Sequence, residues 1–194
     1  MKKGLRLIYI LFALLLAAVI LPGCGGEEEE QMPEEISIVA AKAATLSEMY
    51  ADRLSGEWGD MHALLIESKE GGDFPGFSEM QAVLIELAKE SSAARIYTMY
   101  PPGPKVIAPY LITFDGSLSP GVYGTLFEWE PAFTIAWEGE TESLDHAWTN
   151  ARGDIFISAY SPVYDSEGNI TAILGVDYPA PEAALYPEWI EDDE

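Results

Sequence analysis

The residues of this chain that could do chemistry are few and poorly grouped for catalysis. Its 194 residues hold two histidines, His62 and His146, and one cysteine, Cys24. Neither histidine has a cysteine, a second histidine or an acid at the spacing of a metal shell, so both read as structural or surface groups. No glycine-rich phosphate loop and no nucleophile elbow occurs. Acids alternate at Glu128 and Glu130 and at Glu138, Glu140 and Glu142, but a chain with 33 acidic residues produces such pairs by chance. The stretch Asp165-Ser166-Glu167-Gly168-Asn169 looks a little like a calcium loop, yet it lacks the later bidentate acid and reads as a turn. We expect no enzyme activity, no metal and no cofactor.

Binding chemistry is better supplied. The apolar run Ile173-Leu174-Gly175-Val176 ends on Asp177. Strand alternation sets Asp177 on one face with Ile173 and Gly175, and Ala172, Leu174 and Val176 on the other. A carboxylate in that position needs a partner. A ligand ammonium would serve, and so would a neighbouring backbone group, Arg95 or Arg152. The aromatic residues Tyr97, Tyr110, Tyr123, Trp129, Trp137 and Tyr160 would enclose a cation against their ring faces, or a small apolar acid. The competing reading of each is that it fills the core.

The lone cysteine closes a distinctive leader. Met1-Lys2-Lys3-Gly4-Leu5-Arg6 is basic, Leu7 to Leu21 is uncharged and apolar, and Leu21-Pro22-Gly23-Cys24 follows. An apolar core of roughly 15 residues suits an export signal and falls short of the roughly 20 that span a bilayer, although an uncleaved anchor is the alternative. The last four residues resemble the lipobox of prokaryotic lipoproteins, with Pro22 an unusual occupant. That resemblance implies that residues 1–23 are removed and that Cys24 is acylated to become the N-terminus. Acylation also accounts for a single thiol in an exported protein, in which no internal disulfide can form. Residues 24–35, with Glu27 to Glu30, then read as a solvated acidic tether. The expected location is the cell envelope, lipid-anchored to a membrane on its extracytoplasmic face. Loss of Lys2, Lys3 and Arg6 takes the formal net charge from −23 to −26, which repels phosphate backbones and argues against nucleic acid as a partner.

Positioning the binding residues is the task of one domain, expected over 36–186 and followed by an acidic tail over 187–194. Val39, Ala43, Leu46, Tyr50, Leu54, Met61, Leu64 and Leu65 recur at helical spacing, which predicts a long amphipathic helix broken near Gly56 and Gly59. Ser78 with Gln81 forms a capping-box pattern for a helix from Glu79 to about Ser91. Five strands follow, at Arg95 to Tyr100, Val106 to Phe114, His146 to Asn150, Asp154 to Val163 and Ile170 to Tyr178, with a short helical stretch from Pro131 to Trp137. Residues 165–169 join the last two strands as a hairpin. The class is α+β, a long N-terminal helix packed on a five-stranded, mostly antiparallel sheet.

Ile157-Ser158-Ala159-Tyr160-Ser161-Pro162-Val163-Tyr164-Asp165-Ser166-Glu167-Gly168, running into Ile173-Leu174-Gly175-Val176-Asp177, resembles the closing hairpin of extracytoplasmic Cache sensor domains, which are PAS-like. The resemblance extends more loosely to Gly139, the Arg152-Gly153 turn, the Tyr97 strand and the N-terminal helix. It implies a small-molecule pocket between the sheet and the loops over it, with Asp177 matching the acid that pairs with the ammonium in amine-binding members. The arginine-tryptophan pair that holds a carboxylate in amino-acid-binding members has no counterpart here, so the ligand class stays open between amine and small carboxylate. No output module is expected in the chain, and it would pass occupancy to a membrane signalling or transport partner. The alternative is a structural or protein-interaction lipoprotein with a degenerate Cache-like fold.

Overall fold

The computed structural model describes residues 31–103, 106–114 and 126–192, with backbone alone for 106–114, Phe127 and Asp192. Cys24, the expected signal peptide, most of the tether and Tyr123 therefore lie outside the described residues, as does the side chain of Tyr110.

Helix α1 runs Glu34–Leu54, and its buried positions Ile36, Ala40, Ala43, Ser47, Tyr50 and Leu54 recur every three or four residues along one stripe. Glu34 and Glu35 in the first turn and Arg53 in the last complement the helix dipole. The helix stops at Ser55, and Gly56, at φ 81°, turns the chain into α2, Glu57–Ser68. The expected break near Gly56 is thus where the chain bends. Helix α3 runs Phe77–Glu90 and begins after Gly76 with no side-chain capping bond. The Ser78–Gln81 capping box is not formed, because the helix starts one residue ahead of Ser78 and places that residue inside its first turn.

The strands are β1 Arg95–Gly103, β2 Val106–Phe114, β3 Phe127–Glu128, β4 Glu142–Ser143, β5 Ala147–Thr149, β6 Ile155–Tyr164, β7 Ile170–Pro179 and β8 Ile190–Asp192, and helix α4, Pro131–Trp137, lies between β3 and β4. Their order across the sheet is β3-β2-β1-β7-β6-β5-β8, with β4 also on β6. The five expected strands are all present and mutually antiparallel. The sheet is mixed, because β8 joins β5 in parallel. Residues 190–192, expected within an acidic tail, are therefore an edge strand. Trp189 and Ile190 pack on Ile36, Ala40, Ala147 and Ile157, apolar anchoring that the acidic composition around them conceals.

Helices α1 to α3 cover one face of the sheet. Tyr50, Ala51, Leu54, Leu65, Met80, Leu84 and Leu87 meet Ile96, Val163, Ala172, Leu174 and Val176 there in one apolar cluster. Burial on both sides makes positions 156–163 and 171–178 buried without interruption, which is why these strands read as nearly continuous apolar runs. Met32–Glu194 forms one compact unit.

Candidate ligand site on the aromatic sheet face

Register assembles the opposite face of the sheet. Arg95 pairs with Asp177, and Asp177 with Ser158, so these three stand in one row across β1, β7 and β6. One step along, Tyr97, Gly175 and Tyr160 form the next row, and Met99, Ile173 and Pro162 the one after. Gly175 is required in the middle row, since a Cβ there would lie 2.4 Å from the Tyr97 ring. The Tyr97 ring lies over Gly175 and fills the space that a β7 side chain would take.

Asp177 is fully buried. Its Oδ1 accepts hydrogen bonds from the Tyr97 hydroxyl at 2.8 Å and the Ser158 hydroxyl at 2.7 Å, and its Oδ2 is ion-paired with Arg95 Nε. Of the partners open to it from sequence, the chain supplies Arg95, whereas Arg152 is exposed at the β5–β6 turn. Burial lowers the Arg95 pKa most strongly, but the charge and hydrogen bond of Asp177 together with Tyr97 and Tyr160 more than offset it and raise the pKa overall. Burial raises the Tyr97 phenol far above its usual value, and the Asp177 charge adds to this. Tyr160 is raised too, by burial first and then by the charges of Asp177 and Glu130. Both phenols stay protonated and act as donors and acceptors, never as bases.

Trp148 on β5 completes the polar centre. Its indole N–H donates to Ser158 Oγ at 2.9 Å, and the Arg95 guanidinium carbon lies 4.7 Å from its ring centre. Arg95 is also 5.9 Å from the Tyr97 ring, so its plane is held between two aromatic groups while Nε faces Asp177.

Helix α4 and the segment before it lie over this face. Phe133 packs edge-on against Tyr160 at 4.7 Å, and Trp129 against Phe133 at 6.1 Å. Met99, Ala132, Ala136, Leu144 and Ile173 complete the apolar bed, with Tyr97, Trp129, Trp137 and Trp148 half-buried around it. Of the candidate residues, Asp177, Tyr97, Trp129, Trp137 and Tyr160 therefore meet on one face. Tyr110 lies at the register shift of β2 opposite Thr98 and Met99. Ser158, Trp148 and Phe133 belong to the same face and are not among the site residues read from sequence. Alternation with Tyr160 was the available signal for Ser158, while Trp148 and Phe133 required the β5 and α4 placements. The turn at 165–169 is closed by its own side chain, Asp165 Oδ1 accepting the Glu167 and Asn169 N–H groups at 2.9 and 2.7 Å.

No family model matches this sequence, and no curated protein matches it. Among solved structures, the chain is similar to the periplasmic sensory domain of the Campylobacter jejuni chemoreceptor Tlp1, at 10% identity over 78% of this chain with a TM-score of 0.47. It is also similar to the E. coli DcuS sensor domain, at 12% identity over 80% of this chain and 99% of that one, TM-score 0.48. A further likeness is to the C. jejuni Tlp3 sensory domain with isoleucine bound, at 13% identity over 75% of this chain, TM-score 0.37. The chain spans 58% of the Tlp1 domain and 61% of the Tlp3 domain. All three are sensory domains.

Proposed function

We propose that this chain is an extracytoplasmic small-molecule sensor or capture protein, tethered by acylated Cys24, that performs no catalysis. The observation that carries the reading is the polar centre of Arg95, Tyr97, Ser158, Tyr160 and Asp177 set into an aromatic sheet face. Such a mixture of ring surface and convergent polar groups is the usual composition of a small-molecule site. Protonated phenols and a guanidinium already paired to a carboxylate suit recognition. The tether and anchor would hold the domain outside the cytoplasm, and occupancy would pass to a membrane signalling or transport partner.

A second reading is favoured by one observation. Both oxygens of Asp177 are engaged by the protein's own donors. In that reading the polar centre pins three strands together, and the protein is an interaction lipoprotein with a degenerate Cache-like fold.

Label-free thermal unfolding of the full chain in a non-ionic detergent, against amines, amino acids, small carboxylates and purines, separates the two. A ligand at a hundred times its Kd stabilises by about 2.7 kcal/mol. A shift that is lost in Tyr160→Phe or Ser158→Ala, both checked for unliganded stability, supports the sensor. No shift from any class would leave the interaction protein.

A further inference from the structure

The polar centre already contains a cation. Arg95 opens β1, and its partner across the ladder is Asp177. Its Nε is ion-paired with Asp177 Oδ2, and its guanidinium carbon lies over two rings, 4.7 Å from the centre of Trp148 and 5.9 Å from that of Tyr97. The carboxylate is held in place for that charge. Tyr97 and Ser158 both donate to its other oxygen, Oδ1, at 2.8 and 2.7 Å, and Trp148 donates in turn to Ser158 Oγ at 2.9 Å. A buried carboxylate steadied through one oxygen, with the second turned to a planar cation beside ring faces, is the chemistry that recognises a guanidinium compound from solution. Here the guanidinium belongs to the chain.

The two members of the pair differ in access. The Asp177 side chain is fully buried, whereas that of Arg95 is 30% exposed. Asp177 sits in β7 with β1 on one side and β6 on the other, so it cannot leave without parting the sheet. Arg95 is the first residue of β1, and its long side chain reaches the carboxylate from the end of that strand. Rotation about its side-chain bonds would withdraw the guanidinium and leave an anionic slot beside Trp148 and Tyr97. A buried carboxylate without its counter-charge strongly favours a replacement cation, and a neutral or anionic molecule cannot supply one. We propose that Arg95 is a built-in plug in a guanidinium site, and that the ligand is a small guanidinium compound that takes its place on Asp177 when Arg95 swings out. The plug sets the affinity, because a ligand binds wild type only in proportion to the fraction of molecules with Arg95 withdrawn. This deepens the ligand-site reading and rests on it.

The test uses the full chain in a maltoside detergent, followed by calorimetric titration and by tryptophan fluorescence on heating. The probe is ethylguanidinium at concentrations too low to denature, with ethylurea as its neutral planar isostere and ethylammonium as a cation that is not planar. Wild type should bind ethylguanidinium, and Arg95→Ala should bind it at least about tenfold more tightly, as expected where Arg95 is withdrawn in a tenth of the molecules or fewer. Ethylurea should bind neither protein, and ethylammonium should bind Arg95→Ala more weakly than ethylguanidinium does. Adding Asp177→Asn to Arg95→Ala should abolish binding while leaving a neutral centre that Tyr97 and Ser158 can still bond. If Arg95→Ala alone shows no cooperative unfolding, recovery of the transition in ethylguanidinium supports the plug, and no recovery overturns it. Binding by folded Arg95→Ala that is no tighter than that of wild type overturns the plug. Ethylurea or ethylammonium binding as tightly as ethylguanidinium overturns the ligand class. Binding by Arg95→Ala with none by wild type overturns the exchange, and leaves Arg95 a fixed part of the core. A wild-type shift with another ligand class that Arg95→Ala leaves unchanged overturns this proposal while the ligand site stands.

Discussion

Asp177 receives hydrogen bonds from Tyr97 and Ser158 and the ion pair from Arg95, so three donors from two neighbouring strands converge on one buried carboxylate. Removing any one leaves part of a buried charge uncompensated. Tyr97→Phe and Ser158→Ala should each cost about 1–3 kcal/mol in urea unfolding. Arg95→Leu should cost more, because the charge itself loses its counter-charge, although the partly exposed guanidinium holds the loss toward the lower end of the roughly 3–5 kcal/mol seen when one partner of a buried pair is removed. An Arg95→Leu protein as stable as wild type would show that Asp177 does not depend on this pair. His62 supplies a second residue-scale test. Its Nδ1 lies 2.7 Å from the Trp58 carbonyl and its Nε2 lies 3.1 Å from Thr98 Oγ1, which fits a neutral ring donating to the carbonyl and accepting from the hydroxyl. Burial lowers its pKa to about 4 from the ordinary 6.5. Between those values the unfolded chain binds a proton that the folded one refuses, so this stability is fully present above pH 6.5 and is lost progressively toward pH 4. The slope approaches about 1.4 kcal/mol per pH unit. His62→Gln should flatten the decline between pH 6.5 and 4 relative to wild type. Parallel curves would mean that His62 charges without cost.

At the scale of elements, legibility followed the range of the interactions. Strands β6 and β7 and their hairpin were readable almost to the residue, since apolar runs, alternation and the turn at 165–169 are local signals. The face bearing Asp177, Gly175 and Ile173 came from alternation alone. What alternation cannot give is register, and register puts Arg95 and Ser158 in the same row as Asp177, because β1 inserts beside β7 some eighty residues away in sequence. The same limit hid β8, whose partner β5 is distant and whose anchoring residues Trp189 and Ile190 sit among acids. It also hid the role of Gly59, which reads from sequence as a helix interruption. In the fold Gly59 lies inside α2, and a Cβ there would lie 2.0 Å from the Tyr164 carbonyl oxygen. The helix can approach the β6–β7 hairpin only because this position has no side chain, and the contact is held by Gly56 N–H donating to Tyr164 O at 2.8 Å and Thr171 Oγ1 donating to Gly59 O at 3.1 Å. Gly59→Ala should therefore lower stability by about 3 kcal/mol or more through forced displacement of backbone. Gly153→Ala, at φ 81° with open space around it, should cost only about 1–2 kcal/mol of left-handed strain. Equal melting temperatures for the two variants would refute the close-approach argument.

For the whole molecule, charge and anchoring pull toward one arrangement. A formal net charge of −23 across 194 residues makes the surface repel itself and any anionic lipid face. Among the described residues no helix is long and apolar enough to cross a membrane. The proposed acylation of Cys24 would supply residence at a membrane, and the acidic run of the proposed tether would keep the domain clear of the head groups. Two acyl chains hold a protein firmly where a single chain holds it only marginally. Cys24→Ser in a chain lacking residues 1–23 should therefore move the protein from the membrane fraction to the soluble fraction. Its melting temperature should stay that of wild type, because Met32–Glu194 packs as a unit of its own. Vesicle flotation separates the contributions. Wild type should float with neutral and anionic vesicles alike, and salt should change little, since the anchor is apolar and salt screens only charge beyond about 10 Å at 0.1 M. Cys24→Ser protein that still floats with anionic vesicles would refute the anchor as the source of membrane residence. It would place a lipid-binding face on the domain, against the repulsion that its charge predicts.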